Sequence, residues 1–396
     1  MSETDLPLSQ FAGLNRRHFF VATASALAAG CAQKETGKHS TYSQNQKNAP
    51  VTPAAFSESS PAQNGLPGTN SLFSLSLAGP EFGHQAETFS NVSPGKLNKD
   101  YVFSTKKSIQ YFVSRGFRLF RIPIRWERIQ PVLNGPLTPR FLEPLTRHLS
   151  DVREAGASAI IEIHNYGRYI KKEGTTVKTF VINKSSTVRT PHLANLWYQI
   201  ARQFRDDPVI AGYGLMNEPH SMGSGNWKGI SNEVVNAIRE IDRDKRIYIC
   251  GDDWASARKF DYKNGKPWIR NDRNIVYEAH SYFDSNFSGK YRLPYQQELS
   301  MDSNLANRYK TVLNPFIDWC KQNGCEGFVG EIGVPNNDPR WLQVLENAVK
   351  LLQKNDIPCC YWAAGEWWHD YLLSIQPRKD GKDRPQLTVL NRLMQG

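Results

Sequence analysis

Tyr213-Gly214-Leu215-Met216-Asn217-Glu218-Pro219-His220 is a short apolar run, punctuated by glycine, that ends abruptly in a carboxylate. Gly327-Phe328-Val329-Gly330-Glu331-Ile332-Gly333 repeats the arrangement. Such a run reads as a strand buried on both faces in a parallel sheet, with the acid falling where the strand opens into a loop. In a barrel of parallel strands that end is the chemical face. Two glutamates on it are what cleavage of a glycosidic bond needs, because one must protonate the departing oxygen while the other attacks or activates water. A strand-terminal glutamate by itself is more often a cap or a salt-bridge partner, so the reading depends on what accompanies the pair.

Outward from these two stretches, apolar runs alternate with amphipathic ones. The runs are 72–77, 117–123, 158–164, 209–216, 246–250, 275–280, 327–331 and 358–363. Helical periodicity marks 101–115, 142–155, 193–204, 232–241, 315–322 and 341–354 between them, with Leu196, Trp197, Ile200 and Phe204 on one face of the third. Strand and helix alternating at this length predict an α/β fold, a single (β/α)8 barrel over 71–396. A doubly wound sheet is the alternative, and no glycine-rich phosphate loop supports it.

In that alignment the last residues of successive strands face one cavity: Arg121, His164, Asn217 and Glu218, His280 and Tyr282, Glu331, and Trp362. Singly, each has a packing explanation: a structural salt bridge for Arg121, satisfied core imidazoles for His164 and His280, core aromatics for Tyr282 and Trp362. Pure packing does not account for all of them at matching strand ends.

This set resembles the signature of glycoside hydrolase family 5, retaining enzymes on a (β/α)8 barrel. The runs Phe120-Arg121-Ile122-Pro123-Ile124-Arg125-Trp126-Glu127-Arg128, His164-Asn165-Tyr166-Gly167-Arg168-Tyr169, Met216-Asn217-Glu218-Pro219-His220 and Tyr361-Trp362-Ala363-Ala364-Gly365 are similar to its endoglucanase branch. The resemblance implies an endo-β-1,4-glucanase without metal or organic cofactor, acting on a β-linked polysaccharide or oligosaccharide. Glu218 would be the acid/base and Glu331 the nucleophile. Arg121 would hold Glu331 ionised, Asn217 would meet the sugar 2-hydroxyl, Tyr282 would reach the nucleophile or ring oxygen, and His164 and His280 would fix carboxylate and sugar. Pyranose rings have flat C–H faces, so Trp362, Trp126, Trp254, Trp367, Trp368 and Tyr166 are candidate stacking platforms. Glu366 stands where that branch has proline, and is expected at the cavity rim, where it would bear on substrate preference. Within the family a mannanase, a mixed-linkage or xyloglucan hydrolase and a transglycosylase stay open; outside enzymes the alternative is a sugar-binding lipoprotein.

The N-terminal end reads as targeting. Arg16-Arg17 precedes an Ala-rich apolar run, 19–29, too short to span a membrane, so 1–31 is expected to be a twin-arginine export signal. Leu27-Ala28-Ala29-Gly30-Cys31 resembles a lipoprotein box with its leucine four residues from the cysteine instead of three; membrane attachment through Cys31 and ordinary cleavage after Ala28 both stay open. Residues 32–70, rich in Gln, Ser, Lys, Asn, Pro and Gly, read as a disordered tether. The product is expected to be exported from a bacterial cytoplasm, as a periplasmic, cell-surface or secreted monomer. The net charge of +11 favours anionic surfaces, but the basic residues are scattered and carry no nucleic-acid motif. Cys320 and Cys325 are spaced for a small disulfide in an oxidising space, Cys250, Cys359 and Cys360 read as buried thiols, and no spacing matches a zinc site.

Overall fold

Residues 72–223, 226–378 and 380–395 are described by a computed structural model. The expected export signal and tether lie outside them. Eight strands close a barrel: β1 (Phe73–Leu77), β2 (Leu119–Ile124), β3 (Ser158–Ile163), β6 (Ile210–Gly214), β7 (Arg246–Cys250), β8 (Ile275–Ser281), β9 (Glu326–Ile332) and β10 (Cys359–Ala364). They pair in parallel in the order β1-β10-β9-β8-β7-β6-β3-β2, as the alternation predicted. The chain inserts an antiparallel hairpin after β3, made of β4 (Arg168–Glu173) and β5 (Thr176–Val181), which the apolar pattern does not announce because its side chains are largely polar and half-exposed.

The helices are α1 (Lys106–Ser114), α2 (Trp126–Ile129), α3 (Pro139–Glu154), α4 (Thr190–Phe204), α5 (Trp227–Arg239), α6 (Phe260–Asn264), α7 (Tyr295–Met301), α8 (Arg308–Asn323), α9 (Pro339–Gln353) and α10 (Pro385–Gln395). Three helix starts depart from expectation by five residues or more; α5 begins at Trp227 instead of 232, with Asn226 accepting the Gly229 N–H. α1 starts only at Lys106, because Thr105 caps it by accepting the Ser108 N–H. α8 runs through Pro315 from Arg308, whose guanidinium is tied to Glu298 and Asp302. It ends as the Asn-Gly signal requires, with Gly324 left-handed (φ 59) and the Cys325 N–H bonded to the Cys320 carbonyl at 3.0 Å.

That ending also decides the cysteines. The Cys320 side chain points inward, against Gly327 and Phe316, whereas the Cys325 thiol faces the Asn323 carbonyl at 3.5 Å. Both are free thiols in this structure, so the disulfide that their spacing would permit is not formed. Cys250, Cys359 and Cys360 are buried thiols, as read.

Inside the barrel, alternate residues of each strand face the axis. At the N-terminal ends Leu119, Ile160, Ala211, Tyr248, Val276, Phe328 and Cys360 form an apolar plug, distinct from the larger core between barrel and helices. Two residues further along their strands come Arg121, Glu162 and Glu278, each 1% exposed. Two further still are His164 and His280. The floor of the open end is therefore ionic, resting on an apolar plug.

Candidate active site

Glu218 follows β6 in the left-handed region, φ 39, where a non-glycine residue persists only if its surroundings hold it. Asn217 is held by its N–H on the Ile163 carbonyl at 2.7 Å. Glu331 reaches the cavity by a register shift. Ala279 pairs with Val329 and His280 with Glu331, so Gly330 is skipped and the strand bulges there, bringing the carboxylate round to the axis.

Arg121 lies beneath both. Its Nη1 donates to Glu331 Oε1 at 3.3 Å and its Nη2 to Asn217 Oδ1 at 2.7 Å; Glu162 Oε2 and Glu278 Oε1 lie 3.4 and 3.5 Å from it. Burial opposes the guanidinium charge, but Glu162, Glu278 and Glu331 outweigh it and hold the charge more firmly than usual. Arg121 and the His280 imidazole are two cationic groups among three carboxylates, which leaves one acid disfavoured. Glu162 is that acid: burial first, then Glu278 and Glu331, push its carboxyl up to about 8 against the pull of Arg121.

Glu331 also accepts the Tyr282 hydroxyl at 2.6 Å, beside the Arg121 donation. His280 Nδ1 meets Glu218 Oε1 at 2.9 Å and stands 3.5 Å from Glu331 Oε2. Burial disfavours its imidazolium, yet Glu331, Cys250 and Glu218 together raise its proton affinity well above that of free imidazole. His164 fixes its own tautomer: Nδ1–H donates to Glu162 at 3.0 Å, leaving Nε2 to accept from Tyr166 O–H at 3.1 Å and Asn217 Nδ2–H at 3.3 Å. One Asn217 N–H stays available for a substrate hydroxyl.

All the strand-end residues expected from the sequence thus meet here. Two sets of three metal-type ligand atoms, Glu218-His280-Glu331 and Cys250-Glu278-His280, lie within 4.8 Å of one another. The first is engaged in the contacts just described; in the second, His280 Nε2 lies 3.1 Å from Glu278 Oε1 and 3.9 Å from Cys250 Sγ.

Residues 79–367 match the family "Cellulase (glycosyl hydrolase family 5)". The chain belongs to that family. It is similar to endo-beta-1,4-glucanase B of Emericella nidulans, 29% identical over 77% of this chain and 86% of the relative. Among solved structures it resembles the Pseudomonas stutzeri endoglucanase in complex with cellobiose, at TM-score 0.71 and 34% identity over 81% of this chain and 92% of that one. An endo-beta-1,4-glucanase from Xanthomonas axonopodis pv. citri superposes at TM-score 0.69, with 26% identity over 81% and 98% of the chains.

The candidate platforms divide. Trp362, at the end of β10, stacks on His164 with centroids 5.5 Å apart and planes 15° apart, and Trp368 meets it edge-on at 6.0 Å. Opposite, Trp254 lies flat on His220 at 3.4 Å and meets Tyr166 at 6.2 Å. The turn carrying Trp254 is left-handed at Asp253, Trp254 and Ala255, and is pinned by Trp254 N–H on Pro219 and by His280 N–H on Ala255 at 2.6 Å. Trp367 is half-buried against the outer core.

One expectation is corrected. Trp126 is fully buried, its indole N–H on Gln130 at 3.0 Å and its ring against Tyr169, so it offers no face to a sugar. Arg125, Glu127 and Asn165 around it form a structural lock, with Asn165 Nδ2 on Glu127 and the Trp126 N–H on Asn165 Oδ1. Glu366, just past the end of β10, is held by the cap of α1: its Oε1 accepts the Thr105 N–H at 2.8 Å and the Thr105 hydroxyl at 2.9 Å. What the strand-end reading missed is Glu162 and Glu278. Their signal was present as Glu-x-His on two strands, where period two puts both members on one face. A cavity of about 470 Å³ at the opposite barrel end, lined by Leu119, Tyr248, Val276, Phe328 and the Arg246–Glu326 pair, is remote from this chemistry.

Proposed function

We infer that this family 5 glycoside hydrolase is an endo-β-1,4-glucanase acting with retention of configuration. The carrying observation is that Glu218 and Glu331 present carboxylate oxygens within 4.8 Å of each other, one acid on His280 and the other on Arg121 and Tyr282. Retention needs carboxyl groups about 5–5.5 Å apart, whereas inversion needs about 6.5–9.5 Å to admit a water between them.

In the first step the Glu331 carboxylate attacks the anomeric carbon while Glu218 gives its proton to the departing glycosidic oxygen, leaving a glycosyl ester on Glu331. In the second, Glu218, now a carboxylate, takes a proton from water. The water oxygen displaces Glu331 and Glu218 is again an acid. Asn217 orients the sugar through its remaining N–H, and Trp254, half-buried on His220, offers an apolar face, while the part played by Trp362, 2% exposed, is left to the substitution tested below.

The purified protein, assayed on carboxymethylcellulose, barley glucan, mannan and xyloglucan, tests the substrate. The glucans should be cleaved fastest, with an early fall in viscosity; mannan cleaved fastest would overturn the assignment. Residues 1–31 are proposed to export the enzyme from a bacterial cytoplasm, with Cys31 as a candidate lipid anchor.

A further inference from the structure

We propose that Glu278 is a positioning residue for the acid/base: it holds His280 by Nε2 and thereby presents Nδ1 to Glu218, governing the pH at which Glu218 can donate. The inference rests on Glu218 being the acid/base.

His280 Nε2 lies 3.1 Å from Glu278 Oε1, and its Nδ1 lies 2.9 Å from Glu218 Oε1. The carboxylate, imidazole and acid form one line from the barrel interior to the cavity. Glu278 and His280 are alternate residues of β8, so backbone geometry alone puts both side chains inward.

The barrel is shaped around this carboxylate. A Cβ built on Gly330 would fall 1.8 Å from Glu278 Oε1, so the residue immediately before the proposed nucleophile must lack a side chain for Glu278 to lie where it does. The same device occurs across the barrel. Glu162 backs His164 at 3.0 Å, and a Cβ on Gly214 would fall 2.9 Å from the Glu162 Cβ and Cγ. Arg121 joins the two dyads, 3.4 Å from Glu162 and 3.5 Å from Glu278. They differ at their outer ends. His164 meets the neutral groups of Asn217 and Tyr166, whereas His280 meets two carboxylates, and so only the second dyad bears on proton transfer.

The charged and titratable groups facing this dyad are Arg121 from β2, Glu162 from β3, Glu218 after β6, Tyr248 and Cys250 from β7, Glu331 from β9 and Cys360 from β10. When Glu218 has passed its proton to the leaving oxygen, its carboxylate accepts the His280 Nδ1–H while Glu278 accepts the Nε2–H. When water returns a proton to Glu218, the pair is as before. No proton leaves the dyad over a cycle, so Glu278 acts by charge and orientation. Removing its negative charge makes deprotonation of the Glu218–His280 pair easier, which moves the basic limb of activity to lower pH.

The experiment compares wild type, Glu278→Gln, Glu278→Asp and Glu218→Ala by kcat/KM against pH, on carboxymethylcellulose and on a dinitrophenyl cellobioside, whose leaving group needs no proton. Glu278→Gln should lose about tenfold or more on the polysaccharide and no more than about threefold on the activated substrate. Its basic limb should move down by about one unit, and Glu278→Asp should restore much of it. Equal losses on both substrates, or an unmoved limb, overturn the proposal. Glu218→Ala reads the underlying assignment separately: if it too loses both substrates equally, the acid itself is misassigned. Should the Gln variant fail to fold, 15N NMR of histidine-labelled wild type decides. Nε2 of His280 protonated from pH 5 to 8 supports the proposal, and an unprotonated Nε2 at pH 7 overturns it.

Discussion

Glu218 and Glu331 share one imidazole nitrogen: His280 Nδ1 stands 2.9 Å from an oxygen of the first and 3.5 Å from an oxygen of the second. The partners of the two acids differ in kind. Glu331 has a guanidinium and a phenol, Glu218 an imidazole. That asymmetry supports the proposed roles, Glu331 as nucleophile and Glu218 as acid.

Substitution at the two glutamates should therefore give different phenotypes. Glu331→Ala should lose activity on every substrate, by at least about a thousandfold, because the first step has no other nucleophile. Glu218→Ala should lose polysaccharide hydrolysis by about 100-fold or more yet still be glycosylated by a dinitrophenyl cellobioside. Added azide should then yield a β-glycosyl azide. Swapped phenotypes, or an α-configured first product, would falsify the roles.

Trp362 is 2% exposed and stacked on His164. Trp362→Ala should cost both turnover and stability, the latter on the order of 3–5 kcal/mol for a large buried ring. Kinetics below the melting transition separate the effects: a folded variant within a few-fold of wild-type kcat/KM would make Trp362 a core residue only.

Glu366 bonds Thr105, the N-cap of α1, rather than a sugar. Glu366→Ala should lower stability by about 1 kcal/mol and leave the ratio of rates on glucan, mannan and xyloglucan unchanged. A changed ratio in an equally stable protein would return this side chain to the rim.

Buried acids set a pH dependence of stability. Burial pushes the Glu81 and Glu162 carboxyls up to about 8, from about 4.5 in the unfolded chain. The native state holds these protons longer, so their contribution is full below pH 4.5 and is lost as pH rises through 8. His148, pushed down by burial to about 4, acts oppositely but has finished titrating above its unfolded value of 6.5. The melting temperature should fall between pH 6.5 and 8, and Glu81→Gln should flatten the fall. A rise over that window, unchanged in the variant, would contradict the assignment.

Removal of residues 1–65 should leave a soluble enzyme of full activity, since that segment is assigned to targeting and tethering. A truncated protein that misfolds places part of the segment in the barrel. A palmitate analogue should label the wild type and not Cys31→Ser; equal labelling, or none in either, removes the lipid anchor.

The sequence by itself determined the barrel and the roster of strand-end residues. Strands buried on both faces must be apolar along their whole length, and a carboxylate that ends such a run has only the open end of the sheet to occupy, as at Glu218 and Glu331. The tertiary structure decided which polar residues work together and which merely hold the frame. Trp126 and Glu366 sit in motifs as specific as the one around Glu218, yet one is enclosed and the other bonded to a helix cap. Glu162 and Glu278 look in sequence like ordinary strand residues. They become part of the site because the axis of a closed barrel brings inward-facing side chains from different strands onto one buried cation, Arg121, and because two glycines from other strands leave room for them. Local periodicity specifies the direction of a side chain; its partners across the barrel come from strand register, which no single run of sequence encodes.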